Sequence, residues 1–264
     1  MVRHALADAG DLPALRALWK RCFEESEQAL DCLFAHLPAL AHIYKATDGG
    51  KLIAAVYLMD CTLCGEPAHY LCGVATLPEY RQQGVMTALM EYALGDAKRR
   101  GDCCSVLLPA NEHLYRYYAR LGYERRCTAE TVVWTTDALP PAATPSGTPD
   151  FQAIQSGFDH AVHWSDAFLR FAAQYYGCYG CRQASSDKAF CLYETDNDTA
   201  FVFYAVYNTI PDLQALLRTI DARRYVVTGS SGRLPLAKSE TCGMLRPLTN
   251  DPLPDNVFIG LTLN

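Results

Sequence analysis

A run of seven residues with one glycine has the composition of an anion-binding turn. Arg81–Thr87 reads Arg-Gln-Gln-Gly-Val-Met-Thr and lies just before an apolar helical pattern. The first backbone N–H groups of a helix have no partner within the helix, and with the positive end of the helix dipole they attract anions. Gly84 has no side chain, so a phosphate can approach the backbone closely. These residues predict a phosphate site, although neither G-x-G-x-x-G nor G-x-x-x-x-G-K-[ST] is present.

The elements on either side of this turn are predicted from apolar patterning. Tyr70–Thr76 is an apolar run with residues that favour strands, and Pro78 stops it. Three basic residues followed by Gly101 have the usual composition of a helix C-terminus. Between Pro78 and Gly101, apolar residues recur with helical spacing at Leu89, Met90, Ala93, Leu94 and Ala97. Strand, glycine turn and helix are therefore the elements that position the anion site.

The chain around these elements is predicted to alternate helices and strands. Asp11 and Ser26 are placed to cap two helices, the second of which ends before Pro38. Asn111 is placed to cap a later helix that Gly122 ends. The predicted strands are Val2–Leu6, a hairpin of Ile43–Ala46 and Lys51–Met59, the central Tyr70–Thr76, Cys103–Leu108 and Tyr123–Trp134. We expect one mixed α/β sheet.

A change of composition divides the chain. Residues 137–150 are rich in proline, threonine, alanine and serine, and we interpret them as a linker between domains 1–136 and 151–264. The second domain repeats the order of hairpin, helix and strand without a glycine turn. Its predicted elements are a helix over Phe158–Tyr176, a hairpin of Ala189–Tyr193 and Ala200–Tyr207, a helix over Pro211–Ile220, and strands at Tyr225–Thr228, Cys242–Leu248 and Val257–Leu263.

Composition limits the classes of partner. The chain has 264 residues, half of them hydrophobic, which is enough for one large core or two smaller ones. A net charge of −6 disfavours a nucleic-acid partner. No signal peptide or membrane-spanning run is visible, so we expect a cytoplasmic protein without a membrane partner.

The twelve cysteines include two C-x-x-C pairs, at Cys61–Cys64 and Cys178–Cys181. In a cytoplasmic protein with a large core we expect reduced thiols rather than disulfides. The two pairs together have the ligands of a four-thiolate zinc site, but they lie far apart in the chain, so we expect no metal. His160 and His163 have no clear third ligand, and we interpret them as surface residues.

Two motifs resemble those of a known family. Arg81-Gln82-Gln83-Gly84-Val85-Met86 resembles the R/Q-x-x-G-x-G/A turn with which GNAT superfamily N-acyltransferases hold the pyrophosphate of acetyl-CoA, with Met86 in place of the usual glycine or alanine. Asn111 followed by Tyr118-Ala-Arg-Leu-Gly122-Tyr123 resembles the family's second motif, N…Y-x-x-x-G-F/Y. The resemblance covers residues 1–134 and implies the α/β acyl-CoA N-acyltransferase fold. The second half is similar to the degenerate GNAT-like halves of tandem proteins, including relatives of the enhanced-intracellular-survival acetyltransferases.

The resemblance implies an acetyl-CoA-dependent N-acetyltransferase that transfers the acetyl group directly to a primary amine of a small molecule or peptide. Tyr118 matches the family's general acid, because a phenol with a pKa near 10 can protonate a thiolate whose conjugate acid has a pKa of roughly 8.5. Asn111 either bonds the pantetheine arm or serves as a helix cap alone. The remaining cofactor contacts implied are the backbone of Val74, Ala75 and Thr76 at the thioester, and Arg81, Gln82, Gln83, Gly84, Val85, Met86 and Thr87 at the pyrophosphate.

Several roles stay open at this stage. Glu66, Glu112, a chain of water molecules and the terminal carboxylate of Asn264 are the candidates for the general base. The family forms its acceptor pocket with the loop found here at Phe23–Glu27, whose three glutamates either attract an ammonium group or face water. The second half completes the acceptor pocket or forms a homo-oligomer interface. The alternative function is a non-catalytic acyl-CoA-binding regulatory or assembly module.

Overall fold

The chain forms two compact units. The computed structural model describes residues 1–140, 146–230 and 232–263. The first unit contains Met1–Glu124, Met244–Leu253 and the last two described residues. The second contains the described residues of Arg125–Gly243 and Pro254–Leu261. The chain thus leaves the first unit, builds most of the second, and returns to the first twice.

The first unit is a mixed sheet with helices. Its helices are α1 (Leu12–Cys22), α2 (Glu27–Leu40), α3 (Val85–Arg100) and α4 (Glu112–Ala119). Its strands are β1 (Arg3–Leu6), β2 (Ala41–Asp48), β3 (Lys51–Leu63), β4 (Glu66–Thr76), β5 (Cys104–Leu107) and, from late in the chain, β13 (Met244–Pro247). These strands lie in the order β1-β2-β3-β4-β5-β13. Neighbours are antiparallel except for the parallel pair β4 and β5.

Helices cover both faces of this sheet. Tyr57 on β3 packs against Trp19 of α1, with ring centroids 5.0 Å apart. Tyr44 on β2 lies opposite Val56 of β3 and donates a hydrogen bond to Asp96 of α3 at 2.5 Å. Successive residues of a strand point to opposite faces, so α1 and α3 lie on opposite sides of the sheet. The centre of β3 is fully buried between them.

Three predicted helix ends are confirmed. The side chains of Ser26 and Asn111 accept hydrogen bonds from the backbone N–H groups of Ala29 and Leu114, each at 3.1 Å, which is the geometry of a helix N-cap. Gly101 ends α3 in the left-handed conformation, with φ at 102°.

Two helix ends differ from the prediction. Asp11 precedes α1, but its carboxylate accepts a hydrogen bond from the N–H of Asp8 and pairs with Lys45, so it does not cap the helix. The second helix, α2, continues past Pro38 to Leu40. The proline lies in the last turn, where its missing N–H removes a single helical hydrogen bond.

The second unit is also built on a mixed sheet. Its helices are α5 (Phe151–Gln155), α6 (Asp166–Gly177) and α7 (Ile210–Leu217). The strands of its sheet are β6 (Thr128–Thr135), β8 (Arg182–Ser185), β9 (Ala189–Asp196), β10 (Thr199–Tyr207), β11 (Arg224–Gly229) and β12 (Lys238–Thr241). The two-residue β7 (Val162–His163) lies outside this sheet. The sheet has the order β12-β6-β11-β10-β9-β8. The pair β10 and β11 is parallel, and the others are antiparallel.

The two units repeat one motif. In the first, the hairpin β3-β4 is followed by α3 and by β5, which runs parallel to β4. In the second, the hairpin β9-β10 is followed by α7 and by β11, which runs parallel to β10. Both hairpins contain a register shift. The predicted class, a mixed α/β fold repeated in a second half, is confirmed.

The strand beyond each parallel pair comes from the other half of the sequence. In the first unit β13 is antiparallel to β5, with Met244 opposite Leu107. In the second unit β6 is antiparallel to β11, with Thr135 opposite Arg224. The units therefore differ from the predicted domains 1–136 and 151–264, because residues 125–136 belong to the second unit and 244–253 to the first. Pairing between distant segments leaves no local signal in the sequence.

Two predicted strands are corrected for the same reason. Tyr123–Trp134 is not one strand, since Glu124 bridges to Leu245 in the first unit and β6 begins only at Thr128 in the second. The predicted terminal strand Val257–Leu263 does not form either. Val257 and Phe258 instead make isolated bridges within the second unit.

Other differences lie in the second half. The helix predicted over Phe158–Tyr176 begins only at Asp166, where Ser165 caps it. Strands β8 and β12 were not predicted. Of the predicted linker, Leu139 is buried and its carbonyl oxygen accepts a hydrogen bond from Arg218, so the linker begins as a fixed part of the second unit. Residues 141–145 of the linker lie outside the described residues.

Candidate active site

The turn before α3 presents backbone N–H groups to open space. Gln82 and Gly84 have positive φ, at 61° and 77°. The first helical hydrogen bond runs from Ala88 N to Gly84 O at 3.0 Å, and no side chain caps the helix. A Cβ atom built on Gly84 meets nothing within 4 Å. The amides of Val85, Met86 and the following Thr87 thus have the free geometry that an anion needs.

Side chains of the turn hold it to β4. The Nε of Arg81 donates to the carbonyl oxygen of Thr76 at 3.1 Å. The side-chain amide of Gln83 donates to the carbonyl oxygen of Glu79 at 2.8 Å. Glu79 in turn forms a salt bridge with Lys51. Arg81 and Gln83 therefore fix the turn, while its backbone remains accessible.

β4 and β5 separate just before this turn. Their parallel pairing covers His69 opposite Ser105 and Tyr70 opposite Val106, whereas β4 continues to Thr76. Within the described ranges, no strand pairs with the β5-facing edge of Val74–Thr76. An extended ligand arm can occupy that edge and meet the backbone of these residues.

The half of β4 beyond Tyr70 pairs with β3 but not with β5, and this unpaired half contains a bulge. The register with β3 shifts between the pairs Tyr57–Cys72 and Ala55–Ala75. Gly73 has φ at 57°, and a Cβ atom there would lie 2.3 Å from Cζ3 of Trp19. No side chain fits at this position. A glycine inside a strand pattern is a known signal for a bulge, but Tyr70–Thr76 was predicted as a regular strand.

Tyr118 is buried at the end of α4. Its ring contacts those of Tyr117 and Tyr123, with centroids 5.2 and 5.7 Å away. Burial raises the pKa of the Tyr118 phenol well above its usual value, and the neighbouring Tyr117 and Cys72 raise this pKa further. Cys72 lies on β4, so the phenol is close to the unpaired half of that strand. Tyr118 is therefore a neutral hydrogen-bond donor.

The other predicted residues are placed as follows. Asn111 is exposed, and its side-chain oxygen caps α4, which realises the capping role. Glu66 begins β4, ten residues before Thr76, which at about 3.3 Å per residue is roughly 30 Å away. Glu66 is therefore too far from the proposed thioester site at the end of β4 to be the base. Glu112 is exposed in the first turn of α4, and Asn264 lies outside the described residues.

The acidic loop Phe23–Glu27 includes a glutamate that is paired with basic side chains. Glu27, at the start of α2, forms salt bridges with Arg16 and Lys20, so its charge is balanced within the first unit.

All twelve cysteines are free thiols. Among residues 1–140, 146–230 and 232–263, no three His, Cys, Asp or Glu side chains are grouped as metal ligands.

In the second unit, the turn between β10 and α7 is equivalent to the turn before α3, but side chains occupy it. Thr209 caps α7, and the carboxylate of Asp212 accepts hydrogen bonds from the N–H and hydroxyl of Thr209. Arg233 stacks on Tyr207, the last residue of β10, and donates to its carbonyl oxygen at 3.2 Å. A carboxylate and an arginine thus occupy the place where the first unit has free amides.

A family model identifies the first unit. Residues 4–126 match the model described as an acetyltransferase (GNAT) domain. The match is to the family that the two motifs predicted. Acyl transfer is therefore the class of chemistry that the domain indicates. No curated protein sequence matches the chain.

Solved structures share the fold over most of the chain. A conserved protein of unknown function from Enterococcus faecalis V583 has a TM-score of 0.72 at 17% identity, covering 94% of this chain and 73% of its own. A GCN5-related N-acetyltransferase from Kribbella flavida has a TM-score of 0.70 at 18% identity, and the match covers 94% of this chain and 71% of that protein. Eis1 from Mycobacterium abscessus has a TM-score of 0.67 at 15% identity, and the match covers 94% of this chain and 74% of that protein. These likenesses confirm the predicted fold, a GNAT fold in tandem with a second sheet.

No helix in the described part of the chain combines the length and the apolar character that crossing a membrane requires.

Proposed function

We propose that the protein is an acetyl-CoA-dependent N-acetyltransferase that acetylates a primary amine of a small molecule or peptide. One observation carries this proposal: the uncapped amides that follow Gly84 lie directly after the unpaired half of β4. A pyrophosphate fits the amides, and the pantetheine arm fits the edge of Val74–Thr76. Arg81 and Gln83 hold the two parts in register.

Direct transfer needs an acid and a base. A bond forms between the amine nitrogen and the acetyl carbon, and the bond from that carbon to sulfur breaks. Tyr118 donates a hydrogen bond to the sulfur as negative charge develops, and then its proton. The proton from the amine goes to Glu112, to water or to the terminal carboxylate of Asn264, since Glu66 is too distant.

One cysteine beside the site, Cys72, is poorly suited to form an acyl-enzyme. Cys72 lies on β4 opposite Tyr57 and is buried. Burial raises the pKa of its thiol well above the usual value, so the thiolate needed for nucleophilic attack is strongly disfavoured. Cys72 is therefore not the proposed nucleophile, and direct attack by the amine is the proposed route.

The test is calorimetric titration with acetyl-CoA of the natural protein and of Gly84→Glu, which places a carboxylate at the phosphate site. We expect affinity to fall at least about 100-fold, because like charges then oppose each other. Gly50→Glu is the matched control, since Gly50 has a similar φ of 84° and equally open space in the β2-β3 turn. Its affinity should be unchanged.

The outcomes separate the two functions. Binding that Gly84→Glu abolishes, with turnover of an amine, supports the transferase. The same binding without turnover of any amine supports the alternative, a non-catalytic acyl-CoA-binding regulatory or assembly module. Absence of binding by the natural protein contradicts both functions.

A further inference from the structure

An aromatic cluster lies beside the bulge of β4. It consists of Trp19 and Phe23 from the end of α1, Phe34 from α2, and Tyr57 from β3. The ring centroid of Trp19 lies 4.9 Å from that of Phe23, 6.1 Å from that of Phe34 and 5.0 Å from that of Tyr57. Phe23 and Phe34 are partly exposed, so the cluster extends from the surface of the first unit to its sheet.

Two polar atoms in this cluster are buried without a hydrogen-bond partner. They are the hydroxyl of Tyr57 and the Nε1 of Trp19. Buried polar groups in folded proteins are nearly always hydrogen-bonded, and leaving one unpaired is destabilising. These two groups belong to the cluster that adjoins the bulge of β4, where a bound substrate would complete their hydrogen bonding.

The Tyr57 hydroxyl lies near the unpaired half of β4. Burial raises the pKa of the Tyr57 phenol, and the neighbouring Cys72 on β4 and Cys22 at the end of α1 raise this pKa further. The Sγ of Cys22 lies 3.6 Å from the carbonyl oxygen of Thr76. The hydroxyl therefore lies between the bulge and the end of β4, where the proposed thioester is held.

We propose that Tyr57 binds the acceptor amine, and that the aromatic cluster selects amines carried on an apolar body. This inference rests on the proposed transferase function. The phenol oxygen accepts a hydrogen bond from an N–H of the neutral amine, which leaves the nitrogen lone pair directed at the acetyl carbon. Phe23, Phe34 and Trp19 pack against the apolar body of the substrate.

Tyr57 is not the base in this arrangement. Its raised pKa keeps the phenol protonated at neutral pH, so it orients the amine and does not remove its proton. A polyamine with several charges fits poorly, because its other ammonium groups would lose water against aromatic rings.

The test compares 2-phenylethylamine with ethanolamine as acceptors, using the natural protein, Tyr57→Phe and Tyr204→Phe. Tyr204 is the matched control, because its hydroxyl is equally buried and unpartnered but belongs to the second unit, where the anion site is closed. We expect the natural protein to prefer 2-phenylethylamine in kcat/KM by at least about tenfold. Tyr57→Phe should lower kcat/KM for this amine at least about tenfold, and Tyr204→Phe should leave it unchanged.

Each outcome decides between the two proposals. Unchanged turnover in Tyr57→Phe, or a preference for ethanolamine, overturns the inference and leaves the transferase standing. Acetyl-CoA binding without acetylation of 2-phenylethylamine also overturns the inference alone. If the natural protein neither binds acetyl-CoA nor acetylates an amine, the proposed function fails and the inference with it. Phe34→Ala should reduce the preference for 2-phenylethylamine without weakening acetyl-CoA binding.

Discussion

Glu124 and Leu245 exchange both backbone hydrogen bonds, at 2.8 and 2.9 Å, although 121 residues separate them in the sequence. This bridge lies where the chain leaves the first unit and where it returns. Leu245 is fully buried on β13, against β5. The sheet of the first unit is therefore completed by a segment far outside residues 4–126, the range that matches the GNAT family model.

Leu245→Ala should destabilise the first unit by about 3 kcal/mol, because the substitution leaves a cavity between β13 and its neighbours. Urea unfolding measures the loss, and hydrogen exchange of β5 amides should increase. Leu236→Ala is the control, since Leu236 is fully exposed in the second unit and its removal should cost nothing measurable. Faster exchange confined to β9 and β10 would contradict the assignment of β13 to the first unit.

Gly73→Ala should destabilise the protein by roughly 3 kcal/mol, because the new Cβ would overlap Trp19 and Tyr57 at 2.3 and 2.4 Å and φ is positive. Gly49→Ala has the same φ of 57° but open space, so it should cost only about 1 kcal/mol. The midpoints of urea unfolding give both values if the slopes are equal. Equal losses for the two variants would show that the bulge tolerates a side chain.

Tyr118→Phe should lower kcat about 100-fold or more, while acetyl-CoA affinity stays within about threefold, because the phenol acts on the departing sulfur. Tyr92→Phe, on the exposed side of α3, should retain full turnover. Since burial raises the pKa of Tyr118, its ionisation should not lower kcat below about pH 10. Parallel loss of acetyl-CoA binding in Tyr118→Phe would assign the residue a structural role.

His69 is a buried histidine that resists protonation. Its Nδ1 lies 2.5 Å from Asp102, its Nε2 is buried without a partner, and Arg100 also pairs with Asp102. Burial lowers the pKa of His69 below its usual 6.5, and Arg100 contributes, while Asp102 and Asp60 of β3 oppose the shift. The folded protein therefore keeps this ring neutral at pH values where the unfolded chain is protonated.

Stability should consequently decrease as the pH falls below about 6.5, since the unfolded state then binds a proton that the folded state does not. The slope is at most about 1.4 kcal/mol per pH unit for one group. Urea unfolding at intervals from pH 7.5 to 5.5 measures it. His69→Asn should flatten this slope, whereas the exposed His160→Asn should not. An unchanged slope in His69→Asn would assign the pH dependence to another group.

Local signals predicted the elements of the site. Gly84, Gly101 and Asn111 have functions set by backbone conformation or by a hydrogen bond three residues away, and all three lie where the sequence placed them. The apolar spacing of α3 likewise depends only on helix geometry. These features need no knowledge of the rest of the fold.

Pairing between distant segments could not be predicted in the same way. Cys242–Leu248 has the pattern of a buried strand, but nothing in it indicates that β5 rather than β11 is its neighbour. The unpartnered hydroxyl of Tyr57 is also invisible in the sequence, because an aromatic residue in an apolar strand has the pattern of an ordinary core position. The helix predicted from Phe158 failed because Ala161 bridges to Phe258 and Val162 belongs to the short strand β7.

The exchange of β6 and β13 also affects synthesis of the protein on the ribosome. The first sheet lacks β13 until residue 247 has been made, and the second unit lacks Val257 and Phe258 for about ten residues more. Neither half can complete its core early, so long-range contacts form late and folding is expected to be slow. During translation the edge of β5 stays exposed, which makes chaperone binding to the nascent chain an advantage for this fold.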